Sequence, residues 1–296
     1  MTRLKYWVQA SRAKFFIATI IPLALGGTIA AKAGAWDAGL WMVIFLASFL
    51  VHLNTNLAND FFELDTGVDG GNSIGGRRVI QEGKISSSEI RNFMLIAYFI
   101  SLLCGLYLLW ETRLWWLIGV MLLSFFSSLF YTAPPIRYGY HGMGELMVGL
   151  NMGPIMVAGT ASTLIGRWYM PSLWISLPIG ILVAFILYYQ SLSDIDDDRR
   201  VNKRTIAVRL GRENILIVYW MFAIGTSLSI VTLFIFGYVH PVALLSAVTP
   251  YILKDLAGEI KTTRDIRSLH DKGKPIRQFY VINGMILIFS VMLKLG

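Results

Sequence analysis

Apolar runs long enough to cross a hydrocarbon core of roughly 30 Å recur along the whole chain. They fall near 15–33, 38–59, 92–110, 114–131, 143–165, 173–192, 215–237, 241–257 and 279–295. A soluble core does not bury nine such runs in 296 residues, so the expected fold is an all-α integral membrane protein with about nine transmembrane helices. Composition agrees, with 55% apolar and only 15% charged residues and a mean hydropathy of +0.60. The run at 241–257 is the weakest, being short and carrying Pro241 and Pro250. Residues 1–296 read as one transmembrane domain. The first run follows Arg3, Lys5, Arg12 and Lys14 and ends at Ala31-Lys32-Ala33, but it is too long for a cleaved signal and reads as a retained span. The single cysteine, Cys104, lies inside the third run with no partner for a disulfide or a thiolate metal site, and reads as packing.

Charge sets the orientation. Of the 26 Lys and Arg residues, 22 fall in the N-terminal segment and the loops after even-numbered spans. The positive-inside rule places those loops and the N-terminus in the cytoplasm, and the C-terminus on the opposite side. Trp36, Trp41, Trp110, Trp115, Trp116, Trp168 and Trp174 gather at the lightly charged face, as an interfacial belt would. The net charge of +8 is therefore mostly topology, with membrane lipid and not nucleic acid as its partner.

Acidic residues are distributed less evenly than topology requires. Of 18, only Asp37 and Glu111 fall at the outer face, and two clusters stand out at the cytoplasmic one. His52, Asn56, Asp60 and Glu63 are spaced four, four and three apart at the end of the second run, along one helical face. The second cluster, SDIDDDRRVNKRT, leaves the sixth run with Asp194 and Asp198 at i, i+4 and with Lys203 and Arg204 just beyond. Intramembrane ionisable groups are functional by default, and both clusters begin at the end of an apolar span, contain helical i, i+3 or i, i+4 pairs and face one compartment. Magnesium prefers carboxylate oxygens and commonly completes its shell with substrate phosphates. Asn56, Asp60 and Glu63 on one side and Asp194 and Asp198 on the other are expected to hold about two Mg2+ ions across a diphosphate. Arg77, Arg78, Lys203 and Arg204 are expected to neutralise the remaining phosphate charge.

Three further features are weaker. Gly67, Gly70, Gly71, Gly75 and Gly76 precede Arg77 and form a candidate phosphate-approaching or closing loop. In LFYTAPPIRYGYHG, Pro134 and Pro135 force a turn near Tyr131, Tyr138 and Tyr140, and Tyr131 is the candidate substrate contact there. Asn59, inside the first cluster, is a further candidate substrate contact. His52 reads as a hydrogen-bonded packing residue, and His240 and His270 have no partner at ligand spacing.

NLANDFFELDTGVD, YTAPPIRYGYHGMGE and DIDDDRRVNKRTIAVRLG, in that order and spacing, resemble the UbiA superfamily of intramembrane aromatic prenyltransferases. Within it the chain is most similar to the 1,4-dihydroxy-2-naphthoate polyprenyltransferases, through its NLAND start, Gly67-Val68-Asp69, Lys203, Thr205 and Val208 to Gly211. The resemblance implies nine helices around a central cavity, two Mg2+ ions, and a lateral opening for the prenyl tail. It implies that Asn56, Asp60, Glu63, Asp194 and Asp198 are metal ligands and that Arg78 and Lys203 bind diphosphate. The implied reaction is ionisation of a polyprenyl diphosphate followed by attack of an electron-rich ring, with loss of a carboxyl group in the naphthoate case. Glu63 replaces a more usual Asp, and Gln190-Ser191-Leu192-Ser193-Asp194 replaces an Asn-Asn-x-Arg-Asp run, so an acceptor other than the naphthoate stays open. A CDP-alcohol phosphotransferase is disfavoured because no Ala-Arg follows Asp65 or Asp69. A cation transporter is disfavoured because the acids lie at one face and not at mid-membrane.

Overall fold

The computed structural model describes residues 3–64 and 79–294, and every regular element among them is helical. In chain order these are α1 (Arg3–Ala10), α2 (Ile17–Lys32), α3 (Ala38–Phe62), α4 (Ser87–Thr112), α5 (Trp116–Phe130) and α6 (Gly144–Leu150). A π-helical segment over Asn151–Ala158, containing Pro154, joins α6 to α7 (Gly159–Ile165). Then follow α8 (Met170–Ser193), α9 (Ile195–Arg200), α10 (Ile206–Leu210), α11 (Ile215–Ile235), α12 (Lys254–Thr262) and α13 (Lys274–Leu293).

Six helical stretches among the described residues are long and apolar enough to cross a bilayer, and α2 and α5 are shorter apolar helices. Each of the nine expected runs is helical, but the count of nine crossings is not reproduced by length. The run at 241–257 differs most. Pro241–Leu253 is a 3-10 helix that passes into the short α12; Pro241 stands in its first turn, where no amide hydrogen is needed, and Pro250 lies inside it without an amide to donate.

Local chemistry sets several boundaries. The Asp37 carboxylate accepts from the Leu40 amide at 2.8 Å and starts α3. Ser86 and Glu89 form a reciprocal capping box at the start of α4, and Arg113 ends it in the left-handed region. Both α3 and α8 run to the same end of the bundle, so their polar C-terminal turns meet there while the apolar bodies fill the interior or face lipid.

The centre of the bundle is α8. Inside the molecule 61% of its apolar stretch is buried, against 22% for α4, whose Leu95, Phe99, Leu103 and Leu106 face outward. Packed around α8 are α6 with the π-helical segment, α11 and α13, while α3 packs on α4 and α5. Phe185 stacks on Phe222 at 5.6 Å and meets Tyr219 edge-on. Lipid is as apolar as these side chains, so contact quality and not water exclusion holds such helices together. The approach of α6 to α8 shows this: a Cβ on Gly180 would stand 2.7 Å from the Gly149 carbonyl oxygen, and one on Gly153 would stand 2.8 Å from the Gly180 backbone. Only glycine permits that crossing. Gly180→Val is expected to force the two helices apart and lower stability by about 1–3 kcal/mol. Thermal unfolding in detergent measures this, and an unshifted midpoint would contradict the close crossing.

Candidate active site

The two acidic clusters, far apart in sequence, meet at the end of the bundle reached by α3 and α8. Lys203 joins them. Its ammonium donates to Glu63 Oε1 at 3.0 Å across a separation of 140 residues, and lies 3.5 Å from Asp198 Oδ1. All three side chains are withdrawn from solvent, at 13%, 7% and 3% exposure for Lys203, Glu63 and Asp198. The turn that returns Lys203 to this point is local: Asn202 takes a positive φ of 59°, and the Lys203 amide donates to the Asp198 carbonyl at 2.8 Å. Tyr140 adds its hydroxyl to Glu63 Oε1 at 3.2 Å, and its backbone carbonyl accepts from the Arg204 amide.

Asp60, one turn before Glu63, is held by Arg12, whose guanidinium donates to Asp60 Oδ1 at 3.0 Å. Arg12 stands in the left-handed region with φ 54° just before α2, which swings its side chain back to the cluster. Asn56 donates to the Ser11 carbonyl at 3.0 Å, and Asn59 accepts from Thr132 at 3.3 Å. Asp194 is both the last cap of α8 and the first of α9, with Ser193 donating to it at 3.1 Å. Tyr131 is buried and packs edge-on against Tyr138 at 5.4 Å, in the electrostatic reach of Lys203, Glu63 and Asp198.

The electrostatics are those of too many carboxylates in too dry a place. Burial pushes the Asp198 carboxyl up to about 7; Lys203 pulls the other way, while Asp194 and Glu63 add to the rise. Burial likewise raises Asp194, against Lys203 and the Ser193 hydrogen bond. Burial works against the Lys203 charge, but Glu63 and Asp198 outweigh it and hold the ammonium well above its ordinary range. Asp60, Glu63, Asp194 and Asp198 thus share Arg12 and Lys203 as their cations. A hard divalent cation fits this donor set, since it is all oxygen and underneutralised. As arranged, with the two cations lying between them, no three acidic, histidine or cysteine side chains among the described residues are set to ligate one ion.

The expected site residues therefore separate. Asn56, Asn59, Asp60, Glu63, Tyr131, Asp194, Asp198 and Lys203 come together at one end. Arg204 does not join them: it is exposed, and its guanidinium bonds Asn202 at 3.1 Å. Asp196 and Asp197 turn away, to Arg212 at 3.0 Å and to Arg267 at 2.7 Å, and tie loops together. Arg77, Arg78 and the glycines from Gly67 to Gly76, with Asp65 and Asp69, lie outside the described residues. His52 sits deeper, bonded to Thr19 at 2.6 Å and edge-on to Phe16, as a packing residue would be. Two participants were missed. Arg12 looked like one more topology charge, since nothing in its sequence context marks a left-handed turn. Glu145, the last residue of YTAPPIRYGYHGMGE, is buried near Lys203 and Tyr131, and its Oε1 has no hydrogen-bond partner among the described residues.

A helical membrane bundle that gathers opposing carboxylates and buried cations at one end has the arrangement of an intramembrane enzyme. The UbiA prenyltransferase family matches residues 19–255, and the chain belongs to that family. It is a multi-pass membrane prenyltransferase. The 2-carboxy-1,4-naphthoquinone phytyltransferase of Synechocystis sp. is 24% identical over 98% of this chain and 91% of its own length. The 1,4-dihydroxy-2-naphthoate octaprenyltransferase of Haemophilus influenzae is 30% identical over 71% of this chain and 70% of its own. A UbiA homolog from Archaeoglobus fulgidus bound to DMAPP and Mg2+ has the same fold, with a TM-score of 0.63 at 14% identity over 98% of this chain and 99% of that one.

Lys203→Met leaves two buried carboxylates without their shared cation and is expected to destabilise the protein by about 3 kcal/mol. Arg204→Met, at an exposed position, should shift stability by less than about 0.5 kcal/mol. Thermal unfolding of the two variants side by side checks this, and equal shifts would contradict the bridge.

Proposed function

We propose that the chain transfers a polyprenyl group from an allylic prenyl diphosphate to an aromatic acceptor in the membrane, in a Mg2+-dependent reaction, and that the acceptor is 1,4-dihydroxy-2-naphthoate. The observation that carries the reading is the Glu63–Lys203–Asp198 bridge, which brings two acidic clusters to one buried point. Support comes also from the relatives named for naphthoate prenylation and from the Archaeoglobus homolog bound to DMAPP and Mg2+. Asn56, Asp60 and Glu63 on α3, with Asp194 and Asp198 at the end of α8, would hold the metal. When bound, Mg2+ neutralises the diphosphate and makes it a good leaving group.

The chain's own residues do the rest. Lys203 moves its ammonium from the two carboxylates onto phosphate oxygens, where a buried cation is strongest. Arg12 orients Asp60 through its guanidinium hydrogen bond. Tyr131 and Tyr138 form an apolar wall that excludes water from the allylic carbon once the C–O bond has broken, so that the acceptor ring and not water captures it. The ring forms the new C–C bond and gives up a proton, or carbon dioxide where the attacked carbon bears the carboxyl. In this reading the site opens to the cytoplasm, with the N-terminus on that side and the C-terminus opposite, and residues 1–296 work as one domain.

Purified protein supplied with Mg2+, a polyprenyl diphosphate and a panel of aromatic acceptors should release diphosphate and form prenylated product. No release with any acceptor would overturn the reading. Asp60→Ala and Asp194→Ala should each abolish turnover while the protein stays folded in the membrane; retained turnover in either removes that residue from the metal site.

A further inference from the structure

Asp194 also forms part of the wall of a separate cavity. Between α8, α13 and the stretch preceding α13 lies a space of about 70 Å³, lined by Arg12, Gln190, Asp194, His270 and Arg277 among others. Among the described residues Asp194 is its sole acidic lining residue, and Glu63, Asp198 and Lys203 do not line it. Arg12 is committed to Asp60. The Arg277 guanidinium, the His270 ring and the Gln190 amide, by contrast, have no side-chain hydrogen bond or ion pair among the described residues. Unspent donors from two elements and the connecting stretch between them thus converge on one small space.

The ligand they suit is an anion, and in the reading above the diphosphate goes to Lys203, which does not line this cavity. A guanidinium fork matches a planar two-oxygen anion, and an imidazole and a carboxamide each add a donor. Phe15, Ile186, Ile276 and the ring of Tyr189 add apolar wall, which suits an aromatic system attached to that anion.

We propose that this cavity seats the carboxylate of the aromatic acceptor, with Arg277 as its principal partner and Gln190 and His270 as supporting donors, and so makes the enzyme selective for aromatic acids. This rests on the prenyl-transfer reading above. It places the acceptor's carboxylate in a space that Asp194 lines and Lys203 does not, and gives α13 a part in choosing the acceptor.

The test compares wild type, Arg277→Gln and Arg277→Lys as full-length protein with Mg2+ and a polyprenyl diphosphate. The acceptors are 1,4-dihydroxy-2-naphthoate and 1,4-dihydroxynaphthalene, which share a ring and differ in the carboxylate. A charged hydrogen bond is worth enough that Arg277→Gln should raise the KM for the naphthoate about tenfold or more. The KM for the prenyl diphosphate and for dihydroxynaphthalene should stay as in wild type, and Arg277→Lys should recover part of the loss. Were Arg277→Gln to unfold, Gln190→Leu and His270→Leu carry the same comparison, each with a smaller rise for the naphthoate alone. An unchanged KM for the naphthoate, an equal rise for both acceptors, or a rise for the prenyl diphosphate instead would overturn the assignment while leaving prenyl transfer intact. Wild type that forms no product with any acceptor overturns the functional reading and this inference with it.

Discussion

One ammonium in a dry place organises the functional end of this molecule. Lys203 lies between Glu63 and Asp198, and removing any one of the three would leave a buried charge uncompensated. Such a bridge is a weak source of net stability, because desolvation offsets most of the attraction. Its effect is geometric. It pins the end of α3 to the segment after α8, and with them Asp60, Asp194 and Arg12, so that the polar groups of separate helices share one volume. The same desolvation that raises Asp198 to about 7 makes the site receptive to a further cation.

That arrangement depends on a rigid support. The central helix α8 is packed on several sides, and its glycine crossing with α6 leaves no room for a side chain. The polar end of α8 is therefore held by contacts along the buried length of the helix. Loop ties add to this: Asp196 with Arg212 and Asp197 with Arg267 fix the short α9 from outside, which frees Asp194 and Asp198 to face inward. The run DIDDD thus divides by helical period, with i and i+4 turned to the site and the residues between them turned to neighbouring loops.

Much of this was legible in the chain itself. Runs of apolar residues marked nearly all the helices because a bilayer-spanning segment must satisfy its own backbone, which leaves helix as the available form. The spacing of Asn56, Asp60 and Glu63 marked a face for the same reason. Where the reading fell short, the cause was contact across the fold. Proline placement at 241 and 250 hinted at an irregular segment, but only packing against α11 and α13 shows how such a segment is accommodated. Arg204 and Lys203 are adjacent and chemically alike in sequence, yet a left-handed turn at Asn202 sends one inward and leaves the other exposed. Arg12 and Glu145 carried no local signal at all.

Sequence alone determined that the chain is helical and membrane-embedded, that its acids collect at one face, and which of them can share a helix side. These are local properties, set by hydropathy and by the 3.6-residue period. Tertiary structure decided which charges meet, which are spent on holding loops, and where a small cavity with uncommitted donors remains beside Asp194. Those depend on the relative placement of helices far apart in the chain, which close packing at glycine and the desolvated charge pairs impose and no single segment encodes.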